Sequence, residues 1–233
     1  MTRAVWAVVP AAGRGRRFGG EVPKQYLQAQ GAPLLAHALD ALLAEPRVAG
    51  AIVAISEADA WWPGWTMRAG KPVHTCRGGD ERADSVLAAL LALEDMGVPD
   101  PWVAVHDAAR PNLDATDLSR LLDIALASDD GAILAAPVRD TLKRADDARI
   151  AATELRDGLW RAFTPQVFPL GRLRAALEAC RARGDMPTDE AMAMELAGAK
   201  PRLVEGREDN IKVTTPADLA LVDFLLARRG GAA

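Results

Sequence analysis

Cysteine is scarce: Cys76 and Cys180 are the two thiols of the chain, and they stand far apart. Their number and spacing exclude a disulfide framework and leave no closely spaced pair of metal ligands; idle or buried thiols are the expectation. Long hydrophobic runs are missing as well. No stretch of about 18 apolar residues is free of charge, so no membrane span is expected. The chain also lacks an excess of one charge, since 28 Lys and Arg face 32 Asp and Glu for a formal net charge of −4. That balance speaks against a nucleic-acid binder held by counterion release from many phosphates, so any phosphate site must be local. No internal repeat is found. Arg3 and the run Ala4–Val9 look like the start of a short signal peptide. Pro10 breaks the run, however, and Arg14, Arg16 and Arg17 follow at once, so a mature cytoplasmic N-terminus is expected.

What is present is a chain of 233 residues, half of them apolar, enough to bury the core of one α/β domain over 1–233. Apolar, partly β-branched runs at Ala4–Pro10, Ala51–Ser56, Val73–Cys76, Trp102–His106 and Gly131–Pro137 read as strands. Between and after them, Pro33–Glu45, Arg82–Asp95 and Ala115–Ser128 repeat leucine or alanine at three- and four-residue spacing and read as helices. Strand-helix alternation implies parallel crossovers, hence an α/β class with a doubly wound, mostly parallel, Rossmann-like sheet. From Pro169 onward, helices are expected at Leu170–Arg183, Thr188–Ala197 and Thr215–Leu226, around a short strand at Arg202–Glu205. The stretch at about 138–158 breaks the rhythm, because it is polar, charged and poor in core-forming residues. It should project from the domain, either as a solvated β-hairpin or as an arm that grips a second subunit. The cluster Trp61-Trp62-Pro63-Gly64-Trp65 is expected to pack under a surface loop.

Four segments carry chemistry. Pro10-Ala-Ala-Gly-Arg-Gly-Arg-Arg-Phe-Gly19 follows the first strand and leads into Pro23-Lys24-Gln25-Tyr26. Small residues let backbone N–H groups approach phosphate oxygens while Arg14, Arg16, Arg17 and Lys24 supply opposing charge, a triphosphate cradle at the carboxyl end of a strand. A dinucleotide fingerprint would need Gly or Ala where Phe18 stands, and a P-loop would need Gly-Lys-Ser/Thr, which is absent. Next, Arg77-Gly-Gly-Asp-Glu-Arg-Ala-Asp-Ser-Val86 opens two glycines onto a helix whose first turn would carry Asp80 and Glu81. Backbone at Gly78 and Gly79 can reach a base or ribose edge, with the Ser85 hydroxyl one turn in; an ordinary loop-to-helix cap is the alternative.

The third segment, His106-Asp-Ala-Ala-Arg-Pro111, ends an apolar strand. Asp107 there can hold Mg²⁺ directly or through water, or bind a substrate hydroxyl, and Arg110 can meet a second phosphate; equally, Asp107 can cap a turn and Arg110 form a surface ion pair. His106 is given no role beyond packing. Last, Leu159–Gln166 and Glu205–Thr215 add further polar groups, with Lys212 in a turn where a point charge could reach a phosphate. Phosphate-seeking cations in four separate segments favour a multi-phosphate ligand over unrelated solvated charges.

Pro-Ala-Ala-Gly-x-Gly-x-Arg with Pro-Lys-Gln-Tyr resembles the pattern of sugar-phosphate nucleotidylyltransferases. Gly78-Gly-Asp-Glu-Arg-Ala-Asp-Ser-Val, His106-Asp-Ala-Ala-Arg-Pro, Pro137-Val-Arg-Asp-Thr-Leu-Lys, Phe163-Thr-Pro-Gln, Thr188-Asp-Glu and Asp209-Asn-Ile-Lys narrow the likeness. Together they are similar to 2-C-methyl-D-erythritol 4-phosphate cytidylyltransferases of the non-mevalonate isoprenoid pathway, from about Ala4 to about Leu226. The resemblance implies a Mg²⁺-dependent homodimer that joins CTP and 2-C-methyl-D-erythritol 4-phosphate and releases pyrophosphate, with an arm of one subunit entering the other's site. By matching motif, it implies that Arg17, Lys24 and Lys212 contact the triphosphate, with Ala11, Ala12, Gly13, Gly79, Asp80 and Ser85 around the cytidine. Asp107, Arg110, Thr141, Arg156 and Thr164 would surround the acceptor, and Mg²⁺ would be held mainly by the CTP phosphates. Ribitol 5-phosphate cytidylyltransferases share most of these motifs, and a non-catalytic nucleotide-binding module would lack Lys24, Asp107 or Lys212. Phe163 departs from the polar residue found in many relatives.

Overall fold

The run Val5–Pro10 is apolar throughout and buried at nearly every position, as the centre of a parallel sheet covered on both faces must be. A computed structural model describes residues 4–13, 22–99 and 101–230. In chain order its elements are β1 (Val5–Pro10), a short 3-10 turn at Lys24–Tyr26, β2 (Gln28–Ala29), β3 (Ala32–Pro33), α1 (Leu34–Leu43), β4 (Val48–Ile55), β5 (Met67–Arg68) and β6 (Lys71–Arg77). Then come α2 (Arg82–Asp95), β7 (Trp102–Val105), α3 (Ala115–Leu126), β8 (Ala132–Pro137), β9 (Leu142–Asp146) and β10 (Arg149–Glu154). β11 (Trp160–Pro169), α4 (Leu170–Arg183), α5 (Glu190–Leu196), β12 (Arg202–Glu205) and α6 (Pro216–Gly230) complete the chain.

The main sheet has eight strands in the order β12-β8-β11-β7-β1-β4-β6-β5. β1 runs parallel to both β4 and β7, β4 to β6, and β8 to β12. β11 is antiparallel to β7 and β8, and β5 to β6, so the sheet is mostly parallel, as expected. Alternation along β1 sorts two cores. Val5, Ala7 and Val9 pack with Leu35 and Leu39 of α1 and Leu118 and Leu122 of α3. Trp6 and Val8 face the other way, toward Leu90 and Leu93 of α2 and Leu173 and Leu177 of α4. Helices therefore cover both faces, the doubly wound arrangement.

From β1 the chain steps to β4 and β6 on one side and then crosses to β7 on the other. Strand order thus reverses beside β1, and open α/β sheets bind ligands beyond the carboxyl ends of strands at such a switch point. Pro10, Arg77 and Val105 end β1, β6 and β7 there.

The stretch at about 138–158 is a hairpin: β9 and β10 pair antiparallel in a two-stranded sheet of their own. Asp147 and Ala148, both with positive φ, make its tight turn. Lys143 reaches Thr153 at 2.7 Å and Arg144 reaches Glu154 at 2.6 Å across the strands, all exposed except the half-buried Glu154. In the loop between β4 and β5, Trp62 and Trp65 pack on the core edge to face, ring centroids 5.4 Å apart, with Arg68 stacked 4.3 Å over Trp65. Trp61 is half exposed and does not share that packing. Among the described residues no helix is long and apolar enough to cross a membrane.

Candidate active site

β1 delivers Ala11, Ala12 and Gly13 to the switch point. Ala11 N–H donates to Ala54 O at 2.8 Å, and the buried Gln25 side chain donates to Ala11 O at 2.6 Å. That second bond ties the Pro23-Lys24-Gln25-Tyr26 turn to the strand end and sets Lys24 on the wall of a cavity of about 180 Å³. Tyr26 is anchored in turn by donating to the Asp59 carboxylate at 2.8 Å, and burial together with that carboxylate holds the phenol proton far more firmly than usual. Arg14, Arg16, Arg17 and Phe18 lie outside the described residues.

Across the cavity, the glycines after β6 are required by close approach. A Cβ at Gly78 would sit 2.5 Å from Cβ of Ala12, and one at Gly79 would sit 2.3 Å from Cβ of Asp84. Ser85 Oγ accepts from Gly79 N–H at 3.1 Å and lies 3.2 Å from Glu81 O, so the hydroxyl shapes the loop around the cavity that it lines. α2 begins only at Arg82. Asp80 and Glu81 thus precede the helix rather than forming its first turn, which corrects that detail of the sequence reading; both line the cavity.

β7 places the third segment. Asp107 is buried, and its carboxylate is shared among three cations: Oδ1 with Arg82 Nε at 3.0 Å, Oδ2 with Lys212 Nζ at 2.8 Å, and Oδ2 with Arg110 Nε at 3.5 Å. Burial alone would raise its pKa, but Arg82, Lys212 and Arg110 outweigh that effect and hold the carboxyl far below the usual carboxylate range. Asp107 is therefore a fixed anion that gathers cations, not a proton acceptor near neutral pH.

Arg110 Nη1 donates to Asn210 O at 2.6 Å, and Asn210 Nδ2 donates to Thr164 O at 2.8 Å. The Asp209-Asn-Ile-Lys212 turn is thereby fastened to β11, which brings Lys212 to Asp107. Thr164 itself sits where the β11–β8 register slips, between Ala162 and Gln166. Leaving the ladder there turns its hydroxyl inward, where it accepts from Asp107 N–H at 3.0 Å.

A second cavity of about 150 Å³ adjoins the first and is lined by Arg110, Phe163, Thr164, Thr188 and others. Arg82, Asp107 and Lys212 line both cavities and form the partition between them. Ala11, Ala12, Gly13, Lys24, Gly79, Asp80 and Ser85 gather on the first. Thr141 and Arg156 line neither; they lie at the base of the exposed hairpin, where Arg156 donates to Arg139 O. Among the described residues no group of three or more His, Cys, Asp and Glu is placed to hold a metal ion.

The model of the 2-C-methyl-D-erythritol 4-phosphate cytidylyltransferase family matches residues 5–228. The chain belongs to that family. It is 62% identical to the cytidylyltransferase of that name from Stenotrophomonas maltophilia (strain K279a), over 99% of this chain and 100% of that one. It is 61% identical to the one from Xanthomonas campestris pv. campestris (strain 8004), over 100% and 89%. Among solved structures it is similar to a 4-diphosphocytidyl-2C-methyl-D-erythritol synthase, with TM-score 0.83, 35% identity and coverage of 97% of this chain and 100% of that one. The Francisella tularensis cytidylyltransferase gives TM-score 0.81 at 32% identity, over 95% and 99%.

For this member of the cytidylyltransferase family, three residues at the site escaped the sequence reading. Arg82 was read only as the start of a helix, yet it forms part of the partition. Glu190, 1% exposed, grips Arg82 from α5 with two bonds of 2.6 and 3.0 Å. His106 is fully buried with Nδ1 at 2.9 Å from Thr164 Oγ1 and Nε2 at 2.9 Å from Arg110 O. Each has a contact with a residue distant in sequence, Arg82 with Glu190 and His106 with Thr164, which local spacing does not reveal.

Proposed function

We propose that this nucleotidyltransferase moves the cytidylyl group of CTP onto 2-C-methyl-D-erythritol 4-phosphate, giving 4-diphosphocytidyl-2-C-methyl-D-erythritol and pyrophosphate. The observation that carries this reading is the pair of adjoining cavities with Arg82, Asp107 and Lys212 in both walls. CTP fits the glycine-lined cavity, with Lys24 toward its phosphates and Ala11, Ala12, Gly13, Gly79, Asp80 and Ser85 around cytidine. The acceptor fits the second cavity, beside Asp107, Arg110 and Thr164.

An acceptor phosphate oxygen attacks the α-phosphorus in line; the new P–O bond forms as the bond to the bridging oxygen of the β-phosphate breaks and pyrophosphate leaves with that electron pair. No proton has to be removed, because the nucleophile is already an anion at neutral pH. The barrier lies in bringing two polyanions together and in the charge that builds on the leaving oxygen. Lys24 and Lys212 answer that charge, and Arg17 is assigned the same task. Asp107 keeps Lys212 at the junction and can accept a hydrogen bond from an acceptor hydroxyl.

Mg²⁺ is the cofactor in this reading. Both Asp107 oxygens are already engaged by cations, so the donor set suits an ion held mainly by the CTP phosphates, with Asp107 touching it at most through water. Such an ion neutralises phosphate charge.

The whole chain is read as one domain, working as a cytoplasmic homodimer in which the hairpin takes Thr141 and Arg156 to the partner's acceptor cavity. That neither residue lines either of these two cavities in its own chain supports this assignment. Pyrophosphate release tests the substrates: CTP with methylerythritol phosphate should far outrun UTP with the same acceptor, or CTP with ribitol 5-phosphate. A cavity that pairs with the cytosine amino donor leaves buried polar groups unmatched when UTP enters. Equal rates with either rival substrate would overturn the assignment of the corresponding cavity.

A further inference from the structure

Glu190 touches neither substrate cavity, yet it is 1% exposed and carries a charge that must be compensated where it stands. Its position is not adjustable. Gln166 on β11 accepts from Ala191 N–H at 2.8 Å and donates to Asp189 at 2.9 Å, while Asp189 caps α5 by accepting from Met192 N–H at 2.9 Å. The first turn of α5 is thus clamped to the strand that carries Thr164, and Glu190 points from that clamp at Arg82.

Arg82 answers with a rigid fork. Nη1 and Nη2 donate to the two Glu190 oxygens, which leaves Nε to donate to Asp107 Oδ1 at 3.0 Å. A guanidinium freed from Glu190 has the geometry to take both oxygens of a neighbouring carboxylate at once. On Asp107 that would displace Lys212 from Oδ2, where it stands at 2.8 Å. The alternative for a freed Arg82 is to swing into one of the cavities and capture a phosphate in an unproductive place.

We propose that Glu190 is a positioning residue for the transfer reaction: by holding Arg82 in the partition, it restricts Arg82 to one oxygen of Asp107 and keeps the other for Lys212. The effect is centred on the junction of the two cavities, because the bonds that shape the rest of the CTP cavity, Gln25 to Ala11 O and Gly79 N–H to Ser85 Oγ, are made without α5. Substituting Glu190 should therefore disturb acceptor use and turnover far more than CTP binding. This inference rests on the cytidylyltransferase reading, and wild-type activity with CTP and methylerythritol phosphate is the control that separates the two. An inactive wild type fails that reading, whereas an active wild type with an unaffected variant fails only the present proposal.

The test is Glu190→Gln, near-isosteric but uncharged, with steady-state kinetics for the acceptor, calorimetric CTP affinity without acceptor, and a melting temperature. The expected result is a rise of about tenfold or more in the acceptor KM with a fall in kcat, and a CTP Kd within about twofold of wild type. Glu190→Asp, which restores the charge one methylene short, should recover part of the loss. Unchanged kinetics in a folded Glu190→Gln variant would overturn the proposal. So would a lowered melting temperature with acceptor and CTP weakened alike, since that is what a merely structural pair would give. Should Glu190→Gln not fold, Arg82→Lys is judged by the same criterion, because it keeps the charge and loses the fork. Failure of both to fold would make the pair a folding element and overturn the proposal as well.

Discussion

His106 links the two acceptor-side residues Thr164 and Arg110, and its protonation state follows from its partners. The Arg110 carbonyl can only accept, so His106 Nε2–H donates to it; in the neutral ring Nδ1 is then the acceptor and takes the proton of the Thr164 hydroxyl, which itself accepts from Asp107 N–H. Burial, the largest influence, lowers the imidazole pKa from 6.5 to about 4. An unfolded chain takes up this proton below about pH 6.5 while the folded chain refuses it until about pH 4, so His106 stabilises fully above the first value and progressively less toward the second. The loss amounts to about 2 kcal/mol between about pH 7.5 and about pH 5. Urea unfolding at these two pH values should show wild type losing more stability than His106→Gln, which cannot titrate; equal losses would show that the folded chain does not hold His106 neutral. Lys24 makes a different residue-scale prediction. Its charge meets more negative charge in the transition state than in bound CTP, so Lys24→Ala should lower kcat by about 10²-fold or more and CTP affinity far less. Single-turnover pyrophosphate release beside CTP titration separates the two, and near-normal turnover would remove Lys24 from the chemistry.

At the scale of elements, the turn that carries Lys24 is braced by the tryptophan-bearing loop between β4 and β5 through the Tyr26–Asp59 bond. Tyr26 is the sole tyrosine of the chain, so its ionisation can be read directly by ultraviolet absorbance. Burial and then Asp59 raise its pKa, so Asp59→Asn should bring tyrosinate absorbance to a lower pH than in wild type, though not to that of a free phenol. An unshifted titration would show the brace to be absent. This brace was not legible in the sequence, since it joins residues 33 apart that belong to no common motif. What was legible had local periodicity: Arg82–Asp95 and Leu170–Arg183 are helices over the residues that their leucine spacing indicates, and Arg202–Glu205 is a strand. β11 escaped, because Arg161 and Pro165 interrupt any alternation and because it enters antiparallel between two parallel strands, which no local pattern announces. The glycine loops, Lys24 and Lys212 were legible as parts of the candidate site because each type answers phosphate by itself, and Asp107 because a carboxylate at a strand end can meet Mg²⁺ or a hydroxyl. Arg82 and Glu190 were not, since their part depends on a contact spanning 108 residues.

At the scale of the molecule, the hairpin poses the question of what it packs on. A two-stranded sheet with no core of its own is marginal in water, and β9–β10 leaves Ile150 70% exposed, with Leu155 just beyond it 85% exposed. Docking on a second copy would cover that apolar surface and carry Thr141 and Arg156 away from their own chain's cavities. A guanidinium that grips the non-reacting part of the acceptor contributes alike in ground and transition states, so Arg156→Ala should chiefly raise the acceptor KM, with kcat little changed. Sharing is tested by mixing Arg156→Ala with Lys24→Ala, each assayed alone at an acceptor concentration where it is nearly inactive. A mixed dimer joins one unaltered Lys24 cradle to one unaltered Arg156 arm from the other chain, so random exchange between equal amounts should form such dimers as about half of the population. If arms serve the neighbouring subunit, activity returns on mixing, toward about a quarter of the wild-type rate per chain, because half of the dimers hold one restored site of two. If each arm serves its own chain, every site keeps one of the two lesions and nothing returns. Subunit exchange confirmed by native mass spectrometry, with no recovered activity, would therefore place the arm on its own subunit and refute the shared site.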